Sequence, residues 1–528
     1  MATAFRSVLA SGGGGLVLDS LQITTPATTT SFIQGEALDI TGLVVTGTLG
    51  HMSGNVTSDC TITPQVLSTA GTQAITIAYG GLTTTYNVTV EAFVSIAITT
   101  PPTKTSYKPN EQLDLTGIVV TGYSANLTRD VTSSCTFSPA DGTTLTTEGT
   151  FTLTASFDGH TATVQYTVKD SSIWGVLWDG SSSPAWTRTD DAASFADPQP
   201  YYSGMSGTPS SPFDNLMPWS GMEIVDDADL GKLVKIPKFW YKWTRSGSSM
   251  KLQISDGEQT ETGWHVSPAH ADRGDGSGER DLVYVGRYHC AASTYKSTSG
   301  VAPQVNTTRA NFRTAISNLH AKAWQYDFAM WWTINMLYLV EFANWNSQAK
   351  IGGGCSETTA ASSAVYNMGS TDSMPYHTGT TSNSIGAAVY GANQYRHIEN
   401  LWGNCYDWCD GIYFSGADVY AINNPANFSD TTGGTKVSER PTTSNEIKAW
   451  STPSASGLEY ALYPSEVESN SNFDTYVCDR CVYSASGVVL YVGGYYNQSQ
   501  YYGAFYLNGN VAASSSNAYI GSRLQKLP

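Results

Sequence analysis

Residues 56–61 read VTSDCT, and residues 131–136 return the same motif as VTSSCT, 75 positions later and with one substitution. Three further motifs recur at the same offset of 75 residues: ITTP at 23–26 and 98–101, LDITG at 38–42 with LDLTG at 113–117, and VTG at 45–47 and 120–122. Matches that share one offset indicate two copies of a structural unit joined in tandem.

Each copy of the repeat has the composition of a β-sandwich. Short Thr- and Val-rich stretches are separated by Gly, Pro and Asn, and each copy ends on a stretch in which apolar and polar residues alternate. This pattern predicts immunoglobulin-type sandwiches at residues 16–92 and 93–170. The copies resemble the bacterial immunoglobulin-like modules of surface and phage structural proteins, which implies a stalk or a weakly adhesive unit. One cysteine per copy, Cys60 and Cys135, predicts small core residues rather than a disulfide within the copy.

From residue 171 the chain becomes rich in Trp, Tyr and Phe. Apolar residues spaced at i, i+3 and i+4 predict amphipathic helices at residues 311–319 and 326–345, the second almost entirely buried. Residues 236–243 alternate as a strand should. We therefore predict an α+β domain at residues 236–528, with a connecting region at residues 171–235 before it.

The most specific motifs of this domain are IENLWGNCYDWCDG at residues 398–411 and YIGSRL at residues 519–524. They resemble the Gly-Asn-Val-Trp-Glu-Trp signature and the closing Gly-Phe-Arg strand of the formylglycine-generating-enzyme branch of C-type-lectin folds. The resemblance extends over about residues 235–528. It implies two helices on a small twisted sheet with long loops.

This resemblance also assigns structural roles to single side chains. Trp402 and Trp408 become core aromatic residues. Arg523 becomes a buried or half-buried guanidinium, which needs a carboxylate or carbonyl partner, and Glu399 and Asp410 are the candidates.

Within that branch, residues 492–524 resemble the variable proteins of diversity-generating retroelements, which are common in phage tails. In that family the adenines of a template copy are mutated, so that Asn codons become Tyr, Ser, Asp or Gly codons. Gln498 and Gln500 depart from this pattern, because an Asn codon changed only at its adenines keeps its pyrimidine third base. Phe505 and Tyr506 are expected in the core. The predicted ligand-contact residues are Tyr495, Tyr496, Asn497, Ser499, Tyr501, Tyr502, Asn508, Asn510, Ser514, Ser516, Asn517 and Tyr519.

The composition of residues 492–524, taken apart from any family resemblance, is that of an antibody contact surface. Tyr offers a large amphipathic contact area at a low cost in side-chain entropy, and Ser, Asn and Gly offer adaptable hydrogen bonds. The alternative interpretation is an edge hairpin or a contact between subunits that happens to be rich in Tyr, Asn and Gly.

The cysteines of this domain leave several interpretations open. Cys405 and Cys409 form a CxxxC motif, and Cys478 and Cys481 form a CxxC motif. These residues could pair, hold a zinc ion or remain buried thiols, and a catalytic member of the resembled fold uses a copper-bound cysteine pair. We expect buried thiols, no catalysis and no cofactor.

Two other groups of side chains invite a metal-site interpretation. His265 and His270 precede an acidic loop without an evident third ligand, which favours a structural turn. The carboxylates of that Gly-rich loop do not match an EF-hand, although a structural calcium ion is an alternative. They are Asp272, Asp275, Glu279 and Asp281.

Bulk composition narrows the class of partner. Charged residues make up 13% of the chain, and the formal net charge is −17. Because Lys and Arg are not clustered, we expect no nucleic-acid binding, and an anionic membrane surface would repel the chain. We also expect no membrane insertion and no secretory signal, and we interpret residues 1–15 as an attachment segment.

Together these patterns predict a multidomain protein with two all-β immunoglobulin-like sandwiches followed by an α+β C-type-lectin-like domain. The expected function is host-surface adhesion as a phage tail receptor-binding protein, without enzymatic activity. The expected partners are a host cell-surface protein or glycan and other phage tail proteins, in a homotrimer within the virion. The alternatives are a bacterial surface adhesin of the same fold and an oxidase of the formylglycine-generating type.

Overall fold

The structure, a computed structural model, describes residues 18–355, 365–469, 474–498 and 502–528. The chain divides into two units, Met1–Asp170 and Ser171–Pro528. Each unit has its own clusters of buried apolar side chains, and each is described by itself.

The first sequence repeat folds into a three-stranded and a four-stranded sheet. Their orders are β1-β4-β5 and β2-β9-β8-β6, and β3 pairs with β7. Alternate side chains of β8 and β9 face the interior, as the period of two in a strand requires. The strands are β1 (Ser20–Thr25), β2 (Ser31–Ile33), β3 (Glu36–Ala37), β4 (Val44–Leu49), β5 (Met52–Asn55), β6 (Thr61–Thr63), β7 (Val66–Leu67), β8 (Gly71–Tyr79) and β9 (Leu82–Glu91).

The second sequence repeat has the same strand order. Its strands are β10 (Ser95–Thr100), β11 (Ser106–Tyr107), β12 (Val119–Tyr123), β13 (Thr128–Asp130), β14 (Thr136–Ser138), β15 (Gly149–Phe157) and β16 (His160–Val168). They form the sheets β10-β12-β13 and β11-β16-β15-β14. The parallel pairing of β2 with β9 also recurs as the parallel pairing of β11 with β16. The repeat in sequence is therefore a repeat in topology.

The recurring Val-Thr-Ser motif performs the same structural task in both copies. The Thr57 hydroxyl accepts a hydrogen bond from the Val45 backbone N–H at 2.7 Å, and the Thr132 hydroxyl accepts one from the Val120 N–H at 2.8 Å. Val45 and Val120 are fully buried. The threonine therefore supplies an acceptor to a strand N–H that has no access to water.

The second unit contains, within its described residues, four sheets, three α-helices and two short 3-10 helices. Its earlier strands are β17 (Ile173–Trp178), β18 (Thr187–Asp190), β19 (Tyr201–Tyr202), β20 (Glu223–Asp227), β21 (Gly231–Pro237), β22 (Trp240–Ser246), β23 (Ser249–Ser255), β24 (His265–Val266), β25 (Leu282–Gly286), β26 (Ala323–Gln325), β27 (Gly379–Thr380), β28 (Asn393–Tyr395) and β29 (Ile398–Glu399). Its later strands are β30 (Tyr406–Ser415), β31 (Asp418–Ala421), β32 (Thr435–Glu439), β33 (Asn445–Trp450), β34 (Pro464–Val467), β35 (Arg480–Tyr483), β36 (Val489–Val492), β37 (Leu507–Val511), β38 (Ile520–Gly521) and β39 (Leu524–Lys526). The helices are α1 (Arg309–Ser317), α2 (Phe328–Phe342) and α3 (Ser347–Lys350).

The largest sheet of this unit carries the C-terminal motifs. Its order is β32-β31-β30-β36-β37-β35-β33-β34, with β38 paired to β30. The other sheets are β18-β17-β23-β22-β24, β20-β21-β25-β39-β26 and β19-β27-β28-β29. The closing strand β39 lies between β25 and β26, so the end of the chain joins segments that are far apart in sequence.

Helix α2 lies at the centre of the second unit's core, and all of its residues are buried. Asp327 caps its N-terminus by accepting a hydrogen bond from the Met330 N–H at 2.9 Å. The same carboxylate pairs with Arg273 at 2.8 Å, and Glu341 within the helix pairs with Arg396 at 2.6 Å. Both buried acids thus have a guanidinium partner that offsets the cost of removing them from water. Within the described residues, no helix is long and apolar enough to cross a membrane.

The helical predictions and one strand prediction have different outcomes. Helices α1 and α2 occur where the apolar spacing predicts them. The prediction of one strand at residues 236–243 is wrong, because β21 ends at Pro237 and β22 begins at Trp240 in a different sheet. Phe239, between the two strands, is fully buried, and its carbonyl accepts from the Ser267 N–H at 2.8 Å. This anchored residue directs the chain from one sheet into the next.

Candidate ligand-binding site

Strand β30 begins at Tyr406 and places residues 406–408 of the motif within the largest sheet, whereas Trp402 lies in the segment before the strand. The strand pairs antiparallel with β36 and parallel with β38. Trp402 and Trp408 are buried, as predicted. Their indole N–H groups donate to the carbonyl oxygens of Gly352 at 3.0 Å and Thr307 at 2.9 Å. Trp402 therefore fixes the motif to the loop that follows α3, and Trp408 fixes it to the loop that precedes α1.

Arg523 is fully buried, and its main partners are backbone carbonyl groups. The four acceptors are those of Gly286 and Arg287, both at 2.9 Å, Glu399 at 2.8 Å and Asn400 at 3.1 Å. Its carboxylate neighbour is Asp407, at 3.6 Å from Nε. Of the two predicted partners, Glu399 contributes only its carbonyl, and the prediction of Asp410 is wrong. The Asp410 carboxylate pairs with Arg313 at 2.6 Å.

A concave surface of about 340 Å³ lies beside this framework, and we call it the tyrosine hollow. It is bounded by residues of β35, β36 and β37, by Tyr406 at the start of β30, and by the segments before and after β37. Its lining residues are Tyr406, Ser444, Arg480, Val482, Tyr491, Tyr495, Gln498, Tyr502, Tyr506, Asn508, Asn510 and Tyr519.

The tyrosine rings of the hollow contact one another in a continuous group. Tyr406 is central, with ring-centroid distances of 4.4 Å to Tyr491, 5.1 Å to Tyr495 and 5.6 Å to Tyr506. Tyr495 and Tyr519 lie 4.6 Å apart, and both remain partly exposed. Tyr406, Tyr491 and Tyr506 are buried, so they form the floor of the hollow. Such ring pairs hold one another in place beyond the effect of area burial alone.

The polar groups of the hollow are mostly neutral. Burial raises the pKa of Tyr406, Tyr491 and Tyr506 above that of an ordinary phenol, so these hydroxyl groups keep their protons. The Asn508 amide donates to the Tyr506 hydroxyl at 2.8 Å, and the Tyr491 hydroxyl donates to the Asn510 side-chain oxygen at 3.3 Å. Arg480 is the charged residue among those that line the hollow in the described chain. The surface thus offers aromatic faces and neutral hydrogen-bonding groups.

The structure brings part of the predicted contact set together. Tyr495, Tyr502, Asn508, Asn510 and Tyr519 all line the hollow. Of the remaining residues, Ser499 and Tyr501 lie outside the described residues, Asn497, Ser514 and Ser516 are exposed elsewhere, and Asn517 is half-buried. Tyr496 is only 7% exposed and Asn508 only 4%, so both side chains are largely buried in the folded chain.

Sequence reasoning missed several residues that line the hollow. Tyr406, Tyr491 and Arg480 lie outside the stretch that resembles a variable segment, and strand pairing alone brings them beside it. The Tyr-Asp-Trp run at 406–408 was a usable signal for Tyr406, since alternate residues of a strand face opposite sides of the sheet. Phe505 and Tyr506 are buried, as predicted.

A buried carboxylate holds the loop that leads into β37. Asp479 accepts the backbone N–H groups of Gly503 at 2.5 Å and Phe505 at 2.8 Å. The Ser347 hydroxyl accepts the Ala504 N–H at 2.9 Å. Burial raises the pKa of Asp479 to about 7. These contacts fix the backbone next to Tyr502 and Tyr506 without using a side chain of the hollow itself.

Cys405, Cys409, Cys478 and Cys481, the cysteines of the CxxxC and CxxC motifs, are buried as free thiols. Burial raises the pKa of Cys405 and Cys409 well above the ordinary value, and that of Cys481 to about 12. It raises the pKa of Cys478 as well. Thiols rather than thiolates are therefore favoured at these positions. In the first unit, Cys60 and Cys135 are half-buried beside the apolar clusters.

The acidic loop and the two histidines have protein partners. Asp275 pairs with Arg280, Asp281 with Lys238 at 2.7 Å, and Glu279 lies 3.9 Å from Lys238. Asp272 accepts the Gly274 N–H at 2.9 Å. His270 is buried between the Ser267 hydroxyl at 2.6 Å and the Ile236 carbonyl at 2.9 Å, whereas His265 lies in β24. Among the described residues, no group of three or more His, Cys, Asp or Glu side chains is arranged to hold a metal ion.

Comparison with known proteins identifies one part of the chain. No curated protein matches it. Among solved structures it is similar to PvdO from Pseudomonas aeruginosa, with 12% identity and a TM-score of 0.26 over 58% of this chain and 98% of that chain. It is also similar to domains 4–9 of surface layer protein SbsC, with 15% identity and a TM-score of 0.14 over 51% of this chain and 47% of that chain. The family Bacterial Ig-like domain (group 3) matches residues 25–90, and this first repeat is therefore a bacterial Ig-like domain.

Proposed function

We propose that the chain is a phage tail receptor-binding protein whose second unit binds the host surface through the tyrosine hollow. The observation that carries the proposal is a concave, tyrosine-lined surface of about 340 Å³ next to the stretch that resembles a variable segment. The ligand is a host cell-surface protein or glycan. The Ig-like repeats serve as the stalk, and a homotrimer on the tail would convert weak single contacts into useful avidity.

The side chains of the hollow suit a ligand surface that combines apolar groups with mostly uncharged hydrogen-bonding groups. Tyr495 and Tyr519 present partly exposed rings against which a sugar ring or an apolar side chain packs. Asn510 and the tyrosine hydroxyl groups supply donors and acceptors, and Arg480 supplies one positive charge. Rigid aromatic rings lose little side-chain entropy on binding, which favours them at a contact surface.

The framework beneath the hollow supports a division between fixed and variable residues. Trp408 and Arg523 are buried and bonded to backbone groups, whereas Asn497, Asn510 and Ser514 are exposed. Exposed positions usually tolerate substitution within about 0.5 kcal/mol, and buried polar networks do not. Stated more specifically, the proposal is that a C-type-lectin-like scaffold carries a segment whose sequence is diversified by a retroelement.

Binding of the purified chain to a panel of bacterial strains tests the proposal. Tyr495→Ala and Tyr519→Ala each remove one ring of the exposed pair. We expect each to weaken binding at least about tenfold, because an aromatic residue at the centre of a contact surface usually carries more than about 1.4 kcal/mol. The measurement is flow cytometry with labelled protein on a strain that the unaltered chain binds.

Tyr366→Ala is the matched control, since Tyr366 is an exposed tyrosine of the same unit that does not line the hollow. We expect it to bind as the unaltered chain does. If the two hollow variants keep their near-ultraviolet circular dichroism and their full binding, the hollow is not the contact surface and the proposal is wrong.

The encoding genome tests diversification separately. A near-copy of the segment from about residue 488 to residue 524 that differs almost only at adenines, beside a reverse transcriptase gene, is the expected finding. Neighbouring tail genes would favour the phage assignment, and a cell-wall sorting anchor would favour a bacterial surface adhesin. If no such copy exists, the hollow is a site of fixed sequence.

A further inference from the structure

Two further hollows lie in the second unit, and Arg245 of β22 lines both. One hollow, of about 190 Å³, is also lined by Tyr241, Trp243, His265 and Glu459. The other, of about 300 Å³, is also lined by Trp178, Lys448, Glu466 and Tyr476. The residues of this pair and those of the tyrosine hollow do not overlap. Small-molecule sites usually have aromatic walls with a few convergent polar groups and volumes of about 300–1,000 Å³, a range whose lower end the larger hollow reaches.

Arg245 is a half-buried cation whose charge has no carboxylate partner within ion-pairing distance among the described residues. One guanidinium N–H donates to the Ser451 carbonyl at 2.9 Å, and burial lowers the pKa of the group. The neighbouring cationic groups are better matched, since Lys448 lies 3.2 Å from Glu466 and His265 lies 3.8 Å from Glu459. A guanidinium that is partly removed from water gains most from an anion that meets its planar fork.

The walls around Arg245 suit a ring with hydroxyl groups. Trp243 is half-buried and is held by Trp332 at a centroid distance of 5.9 Å, nearly perpendicular to it. Its indole forms an apolar wall of the first hollow. Glu459 and Glu466 stand one in each hollow and are acceptors for hydroxyl groups. Their negative charges also disfavour a dianion relative to a monoanion beside Arg245.

We propose that Arg245 and the two hollows that it lines form a binding site for an acidic saccharide unit, with the sugar carboxylate on the guanidinium and the sugar ring against Trp243. This site goes beyond the proposed function, because it uses neither the tyrosine hollow nor the variable segment. It would give the chain a fixed contact with an acidic polysaccharide beside a contact surface that varies.

Titration of the full chain with glucuronate, followed by calorimetry or ligand-observed nuclear magnetic resonance, tests the site. We expect glucose, which lacks the carboxylate, to bind at least about tenfold more weakly than glucuronate. Arg245→Met should weaken glucuronate binding at least about tenfold. The affinity of Arg245→Lys should fall between that of the unaltered chain and that of Arg245→Met, because lysine keeps the charge and loses the planar fork. Glucose 6-phosphate separates a carboxylate site from a phosphate site, and we expect it to bind more weakly than glucuronate.

Tyr495→Ala is the control that separates this site from the tyrosine hollow, and it should leave glucuronate binding unchanged. The proposal is overturned if glucuronate does not bind, if glucose binds equally well, or if Arg245→Lys and Arg245→Met both bind glucuronate as the unaltered chain does. Tighter binding of glucose 6-phosphate overturns the carboxylate assignment. Loss of glucuronate binding in Tyr495→Ala places the sugar in the tyrosine hollow and overturns the proposal as well.

Discussion

Asp479 links the stability of the second unit to pH. Its carboxylate is buried beneath the loop at residues 502–505 and has a pKa raised to about 7, mainly by removal from water. In the unfolded chain this group has a pKa near the ordinary value of 3.8. The folded state therefore binds the proton more tightly, and its contribution to stability is complete below about pH 4 and is lost as the pH rises to about 7.

His270 and His397, whose pKa is lowered to about 4 by removal from water, contribute a slope opposite to that of Asp479 in the unaltered chain and in an Asp479 variant alike. Between pH 4 and pH 7 we expect Asp479 itself to lower the free energy of unfolding by up to about 1.4 kcal/mol per pH unit, and Asp479→Asn to remove that contribution. Urea unfolding at a series of pH values measures it. Tryptophan fluorescence reports on the second unit alone, because the sequence before residue 171 contains no Trp. Asp407, with a pKa raised to about 6, adds a slope of the same sign in both proteins. Equal slopes for the variant and the unaltered chain would show that Asp479 does not titrate in this range.

At the scale of the element, one threonine hydroxyl accepts the hydrogen bond of a buried strand N–H in each of the two sequence repeats. Thr132→Val removes the acceptor of the Val120 N–H and keeps the size and β-branching of the side chain. We expect a loss of about 1–3 kcal/mol, the usual cost of an unpaired buried polar group, and a similar loss for Thr57→Val in the first repeat. Thermal unfolding of the chain, followed by calorimetry, measures both changes.

Thr121→Val is the control for this prediction. Its hydroxyl meets that of Thr99 at 2.9 Å on an exposed surface, where water replaces a lost partner. We expect a change within about 0.5 kcal/mol. A loss equal to that of Thr132→Val would mean that the buried N–H is not the cause.

The elements also show which structural features the sequence patterns predicted and which they did not. The 75-residue offset revealed the two repeats, and the same threonine hydrogen bond recurs in both. Apolar spacing predicted α2, although every residue of this helix is buried and not one face alone. The break between β21 and β22 escaped detection, since alternation continues across it while the sheet changes. Asp410 was a wrong partner for Arg523 because its carboxylate pairs with Arg313 instead, whereas Asp407 is the carboxylate nearest to Arg523.

For the candidate site, the C-terminal stretch predicted the partly exposed rings of the hollow and the buried Tyr506, and missed the rest of the floor. Tyr495, Tyr502 and Tyr519 belong to the stretch that the resemblance marks as variable. Tyr406 and Tyr491 join them only because β30 pairs with β36. A pairing between strands that are distant in sequence leaves no periodic signal in either strand, so local patterns do not predict it.

At the scale of the whole molecule, each unit carries the apolar clusters that a fold needs. The clusters around α2 and around Trp408 draw all of their members from residues after 170, and those of the repeats draw theirs from residues before 170. We therefore expect the isolated segment Ser171–Pro528 to fold by itself. Its fluorescence-detected urea midpoint should equal that of the full chain, and it should keep the binding that Tyr495→Ala weakens. A lower midpoint in the segment would mean that the repeats stabilise the second unit. Loss of binding by a folded segment would mean that the repeats contribute to the contact surface rather than serve as a stalk.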